Sequence, residues 1–183
     1  MFIQTEATPN PATMKFIPGV KVLTSGTADF REGDDTERSP LAQRLFQIDG
    51  VVGVFLAGDF ISVTKIESQD WHALKPPVFG ILMEHFSAGR PVLLSDAVAE
   101  PQPWEEDSEV VAQIKDLLET RVRPAVAQDG GDIVFHGFDR GIVYLQMQGA
   151  CAGCPSSTAT LKMGIENMLK HYIPEVVEVR PTL

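Results

Sequence analysis

The chain has 183 residues, and its 44% hydrophobic content is enough to bury the core of one large domain or two small ones. It carries 25 acidic residues against 15 basic ones, a formal net charge of -10. Nucleic acids and anionic membranes are bound by clustered Lys and Arg, so this balance argues against both as the main partner.

The first part of the chain predicts a small mixed domain over residues 1–96. Residues 2–19 contain two short strand-like runs separated by prolines, which lack the N–H that a strand ladder needs. Residues 39–48 (SPLAQRLFQI) predict a helix that begins with a capping serine and a proline. Residues 51–65 (VVGVFLAGDFISVTK) predict a hairpin, and residues 71–89 predict a second helix. A hairpin beside helices indicates an α+β fold.

A linker is predicted between this domain and a second one. Residues 99–109 (AEPQPWEEDSE) contain two prolines, five acidic residues and only one large apolar side chain. Such a composition favours a solvated connection over a packed element. We place this acidic, proline-containing linker at residues 97–107 and the second domain at residues 108–183.

The second domain predicts the order helix, hairpin, loop, helix and short strand. Apolar residues recur at helical spacing from residue 108 until Gly130 and Gly131 end the helix. Residues 133–148 (IVFHGFDRGIVYLQMQ) alternate as two strands joined by a turn. Residues 155–175 then predict a helix, and a last strand follows. The chain is therefore predicted to hold two small α+β domains.

Both cysteines of the chain lie in the loop QMQGACAGCPSST, residues 146–158, between the hairpin and the last helix. Pro155 suits the first turn of a helix, which puts Cys154 at or next to the N-cap. The helix dipole and the amides of Ser156 and Ser157 would then favour the thiolate, the form that binds soft metals. We therefore expect two convergent, activated thiolates, from Cys151 and Cys154. Three residues are predicted to shape the loop: Gly149, Gly153 and Pro155.

Two thiolates provide only half of a common metal site. A tetrahedral zinc site and an iron-sulfur cluster each need about four protein ligands. A second copy of the chain across a two-fold axis would supply the other pair. A group held across such an interface can be released when the interface opens, which favours carriage over catalysis. Structural zinc and a reversible dithiol remain alternatives from the residues alone, although the 29 residues after Cys154 are too few to complete a thioredoxin fold.

Three longer stretches resemble one known family. Residues 148–169 (QGACAGCPSSTATLKMGIENML) and residues 123–133 (RPAVAQDGGDI) resemble the C-terminal domain of NifU, the Nfu-type iron-sulfur scaffold domain. Residues 5–19 (TEATPNPATMKFIPG) resemble the N-terminal domain that accompanies it in Nfu proteins. The resemblance implies a 4Fe-4S cluster that bridges two subunits through Cys151 and Cys154 of each, with a 2Fe-2S cluster as the other possibility.

The resemblance also implies how the protein works. It would be a non-enzymatic carrier that is a homodimer when loaded and passes the cluster to apo iron-sulfur proteins. An upstream assembly scaffold is a possible donor of the cluster. The domain at residues 1–96 contains no cysteine, so we expect it to recognise partners or modulate the dimer.

The N-terminus and the apolar runs suggest where such a protein works. MFIQTEATPN has neither the charged and apolar regions of a signal peptide nor the arginines of a transit peptide. The longest apolar run, residues 51–58, is far shorter than the roughly 20 residues that span a bilayer. We therefore expect a cytoplasmic protein without a membrane partner, or a mitochondrial matrix protein if the chain is a processed eukaryotic one.

Overall fold

The computed structural model describes residues 1–94, 108–152 and 155–182, without the side chains of residues 155–157. The chain divides into two compact units, Met1–Val98 and Ala99–Leu183. The predicted linker, residues 97–107, lies outside the described residues. The predicted domain boundaries therefore stay a prediction.

The first unit is built on a five-stranded antiparallel sheet with the strand order β1-β2-β5-β4-β3. The strands are β1 (Gln4–Ala7), β2 (Thr13–Ile17), β3 (Ala28–Arg31), β4 (Val51–Leu56) and β5 (Ile61–Lys65). The two strand-like runs at the N-terminus form β1 and β2, and the predicted hairpin forms β4 and β5. Strand β3, at the edge of the sheet, is an element that the sequence pattern did not indicate.

Two helices complete this unit, α1 (Pro40–Leu45) and α2 (Trp71–Ser87). Ser39 caps α1, since its Oγ accepts the Ala42 N–H at 3.1 Å and donates to the Val92 carbonyl at 2.8 Å. The apolar faces of both helices pack into the same core as the sheet. The largest side chains of this core are fully buried, and they include Phe16, Phe30, Leu41, Leu45, Ile61 and Leu82.

The second unit begins with a helical stretch that changes its winding. Helix α3 (Glu109–Leu117) runs into a π-helical segment, Leu118–Val122, and then into α4 (Arg123–Gln128). A single helix was expected here. The change has a local cause, because Pro124 has no N–H to donate and its ring crowds the carbonyl four residues earlier. The Arg123 N–H instead reaches the Leu118 carbonyl, one residue further back than in an α-helix.

The rest of this unit is a three-stranded sheet and one long helix. The elements are β6 (Gly131–Asp139), β7 (Ile142–Gly149), α5 (Pro155–Tyr172) and β8 (Glu178–Thr182). Strands β6 and β7 form the predicted hairpin, with positive φ at Arg140 and Gly141 in its turn (50° and 82°). Strand β8 lies parallel to β7, so α5 is the crossover connection between them.

The core of the second unit lies between the helices and the sheet, and contains Ile114, Val122, Ile133, Leu145, Ile165, Leu169 and Val179. Each unit thus combines one sheet with helices, which confirms the predicted α+β class. None of the helices within the described ranges is both long and apolar enough to cross a membrane.

Candidate functional site

Cys151 lies where β7 ends and the connection to α5 begins. Gly149, the last residue of β7, has a φ of 63°, a conformation that glycine adopts without strain. The Ala150 N–H then donates to the Gly130 carbonyl at 3.2 Å, and the Ala152 N–H donates to the Gly149 carbonyl at 3.1 Å. This tight turn directs Cys151 inward, so that the cysteine is only 7% exposed.

The backbone of Gly131 forms the surface on which the Cys151 sulfur lies. Gly131 and Gly149 face each other across the hairpin. A Cβ added at Gly131 would lie 2.5 Å from Cys151 Sγ, 2.8 Å from the Gln148 carbonyl oxygen and 3.0 Å from the Cys151 nitrogen. No side chain fits at residue 131 unless the thiol and the neighbouring strand both move. The absence of a side chain at this position is therefore part of the site.

Helix α5 holds the other side of the loop. It begins at Pro155, as the sequence predicts. The hydroxyl of Thr158, in its first turn, donates to the Cys151 carbonyl at 3.1 Å. Gly153 and Cys154 lie outside the described residues, as do the side chains of Ser156 and Ser157. The structure thus describes one of the two predicted ligands, and the assignment of Cys151 and Cys154 stays a prediction.

The expected activation of the cysteines is wrong for Cys151. Burial, and after it the negative charges of Asp129 and Asp132, raise the pKa of the Cys151 thiol to about 12. The dipole of the following helix does not determine this pKa, because Cys151 packs against β6 and the apolar core. In the unloaded chain this sulfur is a neutral thiol and a slow participant in thiol exchange. A soft metal ion would replace its proton, since binding to a metal deprotonates a thiol outright.

A buried ion pair between Arg123 and Asp132, which the sequence alone does not connect, lies beside this loop. Asp132, only 4% exposed, follows Gly131 in β6. Arg123 of α4 donates to both of its carboxylate oxygens, from Nε at 2.9 Å and from Nη2 at 2.8 Å. Hydrogen bonds to Asp132, and then to Glu119, hold the pKa of Arg123 above its ordinary value. The sequence offered no signal for this pair, because its two members belong to different elements.

Two of the histidines make contacts elsewhere in their own units. His85 is buried in the first unit, where its Nε2 lies 3.2 Å from the Pro91 carbonyl oxygen. His136 lies 3.1 Å from the Gln146 side chain on β7. Over residues 1–94, 108–152 and 155–182, no three His, Cys, Asp or Glu side chains come together as metal ligands would.

Comparison with known families gives two matches that follow each other along the chain. Residues 3–89 match the family described as scaffold protein Nfu/NifU N terminal. Residues 114–180 match the NifU-like domain family, and this range contains Cys151, Cys154, the whole of β6 and β7 and the first three residues of β8.

Individual proteins align with nearly the whole chain. It is 53% identical over 182 residues to a Drosophila sechellia protein named NFU1 iron-sulfur cluster scaffold homolog, mitochondrial. It is also 53% identical over 181 residues to NifU-like protein 5, mitochondrial, from Arabidopsis thaliana. The alignments cover 98% and 96% of this chain, which spans less than two thirds of either relative (64% and 66% of their lengths).

Among solved structures, the chain is similar to a NifU-like protein from Saccharomyces cerevisiae, determined in solution by NMR. The identity is 25%, the TM-score is 0.48, and the match covers 52% of this chain and 87% of the other. The two family matches agree with the resemblance noted from the cysteine loop. The two relatives, which share about half of their aligned residues with this chain, agree with it as well. The chain belongs to the Nfu/NifU-like family, with an Nfu/NifU N-terminal domain followed by a NifU-like domain.

Proposed function

We propose that this protein is an iron-sulfur cluster scaffold or carrier that binds its cargo at the loop of residues 151–154. The observation that carries the proposal is the position of Cys151 within the matched NifU-like domain. Its sulfur lies against the backbone of Gly131, and its carbonyl accepts a hydrogen bond from Thr158 of α5. The name of the Drosophila sechellia relative, which describes an iron-sulfur cluster scaffold, supports the same function.

The number of thiols supports binding between two chains. Each chain has two cysteines, and a cubane cluster takes about four thiolate ligands. We propose that Cys151 and Cys154 of two copies hold one 4Fe-4S cluster, with a 2Fe-2S cluster as the other form that four thiolates accept. The loaded homodimer then delivers the cluster to apo iron-sulfur proteins, and an upstream scaffold is the proposed donor. In this function the protein is a carrier and not an enzyme.

The names of the relatives bear on the location of the protein. Both relatives are named as mitochondrial, which agrees with the mitochondrial alternative derived from the sequence. They give no support to the cytoplasmic expectation. We propose that the chain acts in the compartment where its acceptor proteins are matured.

Anaerobic reconstitution with iron and sulfide tests the proposal. We expect about two irons and about two sulfides per chain, together with a dimer mass in solution. About one iron per chain would indicate the 2Fe-2S form. A chain that binds no iron but holds zinc tightly would replace the proposal with a zinc-linked interaction module. A reversible intrachain disulfide with measurable turnover would replace it with a dithiol redox protein.

Two substitutions test the ligands themselves. Cys154→Ser and Cys151→Ala should each abolish stable cluster binding while the chain stays folded, because each removes one of the two thiolates that a chain supplies. His136→Gln is the matched control, since it changes a potential ligand on β6 that faces Gln146 instead of the loop. Iron content measured after gel filtration is the readout. Full iron content in Cys154→Ser would contradict the ligand assignment.

A further inference from the structure

The carboxylate of Asp132 is fully engaged below the cysteine loop. Its Oδ1 accepts the Arg123 Nε–H and the Ile133 N–H, at 2.9 and 2.8 Å, and its Oδ2 accepts Arg123 Nη2–H. Two parallel bonds between a guanidinium and a carboxylate fix both the distance and the orientation of the two groups. The start of β6 is therefore tied to α4 by a rigid connection.

This connection continues directly to the candidate ligand. Gly131 precedes Asp132, and its Cα is in close contact with Cys151, as the short distances to an added Cβ demonstrate. A shift of Asp132 moves the Gly131 backbone with it. The sulfur of Cys151 would then lose the surface against which it lies.

The unusual winding of the preceding helix determines where Arg123 points. A π-helical turn holds one more residue than the α-helical turn that it replaces, and such turns are often found at functional sites. Here the π-helical segment Leu118–Val122 ends immediately before Arg123. The guanidinium reaches Asp132 on one side and Glu119 on the other, where Nη1 lies 2.7 Å from Glu119 Oε2. Only the contact with Asp132 is buried, since the Glu119 side chain is 66% exposed.

From this geometry we propose that Arg123 is a positioning residue for the cluster-binding loop: by clamping Asp132 it fixes Gly131 and hence the sulfur of Cys151. The proposal rests on the proposed function, because a cluster between two chains requires each sulfur to be held at a defined place. Arg123 itself touches no cargo. The Glu119 contact lies on the exposed side of the guanidinium and is no part of this connection.

Labelling of the Cys151 thiol in the unloaded full-length chain tests the proposal. In a Cys154→Ser background Cys151 is the only cysteine, so its rate of reaction with a chromogenic disulfide reports how often the loop opens. Arg123→Met removes the clamp and should accelerate labelling about tenfold or more, because it leaves a buried carboxylate without its charged partner. Arg123→Lys, which keeps the charge but cannot form two parallel bonds, should give an intermediate rate.

Two controls separate positioning from general loss of stability. Glu119→Gln removes the exposed contact of the guanidinium and should leave the labelling rate unchanged. Val143→Ala opens a cavity in the same core at the opposite end of β7. It should destabilise the unit without a comparable increase in labelling under native conditions. If Arg123→Lys labels at the parent rate, or if Val143→Ala at matched stability labels as fast, the positioning role is refuted.

The same variants, with both cysteines restored, then test the loop in its proposed function. A chain carrying Arg123→Lys should load the cluster but lose it to a chelator several-fold faster than the parent protein does. If the parent protein takes up no cluster, the proposed function fails, while the labelling result still decides whether Arg123 positions Cys151. If the parent protein loads normally and neither labelling nor release changes in Arg123→Lys, the positioning inference alone fails.

Discussion

A single methyl group at residue 131 should disturb the cysteine loop more than any other glycine-to-alanine change in β6. The added Cβ would lie 2.5 Å from Cys151 Sγ and 2.8 Å from the Gln148 carbonyl oxygen. Real Cβ atoms do not approach heavy atoms this closely, so something must move. The thiol can rotate away, but the carbonyl belongs to the β7 backbone and cannot yield without opening the hairpin.

The size of the effect follows from two opposing contributions. The φ of Gly131 is not in the left-handed region, so alanine is allowed there and should gain about 0.4–1 kcal/mol by restricting the unfolded chain. Forcing a methyl group into a filled site costs about 1–3 kcal/mol. We therefore expect Gly131→Ala to lower the free energy of unfolding of the second unit by about 1–2 kcal/mol.

Amide hydrogen exchange measures the stability of each unit separately and is the suitable assay. Gly137→Ala is the matched control, because Gly137 lies in the same strand and a Cβ there would meet no atom within 4 Å. It should be neutral, or stabilising by up to about 1 kcal/mol. The Cys151 thiol should also label faster in Gly131→Ala than in Gly137→Ala. Equal stability and equal labelling of the two variants would refute the view that Gly131 supports the sulfur.

Two further predictions concern the first unit. Ser39→Ala removes both the cap of α1 and the hydrogen bond to the Val92 carbonyl. It should lower the free energy of unfolding, measured by hydrogen exchange, by about 1–3 kcal/mol. The control is Ser108→Ala, which removes an exposed cap with a bond of 3.3 Å, and a larger loss of stability in that control would contradict the prediction. Burial, and to a lesser extent the positive charges of Arg44 and Arg90, lower the pKa of His85. The folded state therefore prefers the neutral ring. The contribution of His85 to the free energy of unfolding should be fully present above about pH 6.5 and should fall as the pH drops below that value. His85→Gln keeps a donor for Pro91 without a titrating group and should flatten this dependence; an unchanged pH profile would contradict the assignment.

The elements that the sequence predicts well are those with local causes. Ser39 and Pro40 mark the start of α1, and Gly141 marks the turn of the second hairpin, because capping and positive φ depend on the residues at those positions themselves. Strand β3 (Ala28–Arg31) was missed because it contains one large apolar residue, Phe30, and is followed by the run EGDD (residues 32–35), which is typical of a loop.

The chemistry of the site was harder to predict for a related reason. The cysteine motif and its neighbouring glycines are visible in the sequence, and the helix that follows them begins where expected. The raised pKa of Cys151, however, comes first from burial against β6 and then from the charges of Asp129 and Asp132, none of which belongs to the cysteine loop. Arg123 could not be recognised either, because its direction depends on the π-helical segment before it.

That segment also limits how this part of the chain can change in length. In an α-helix each residue turns the chain by about 100 degrees. Deleting one residue between Leu118 and Val122 would restore regular winding there and leave the apolar face upstream intact. Because the π-helical turn holds one residue more than an α-helical turn, the residues after the deletion, Arg123 among them, would keep their direction toward β6. A sequence can therefore lose one residue at this place and keep Arg123 aligned with the hairpin, whereas the same deletion in a regular part of the helix would rotate its two sides by about 100 degrees relative to each other.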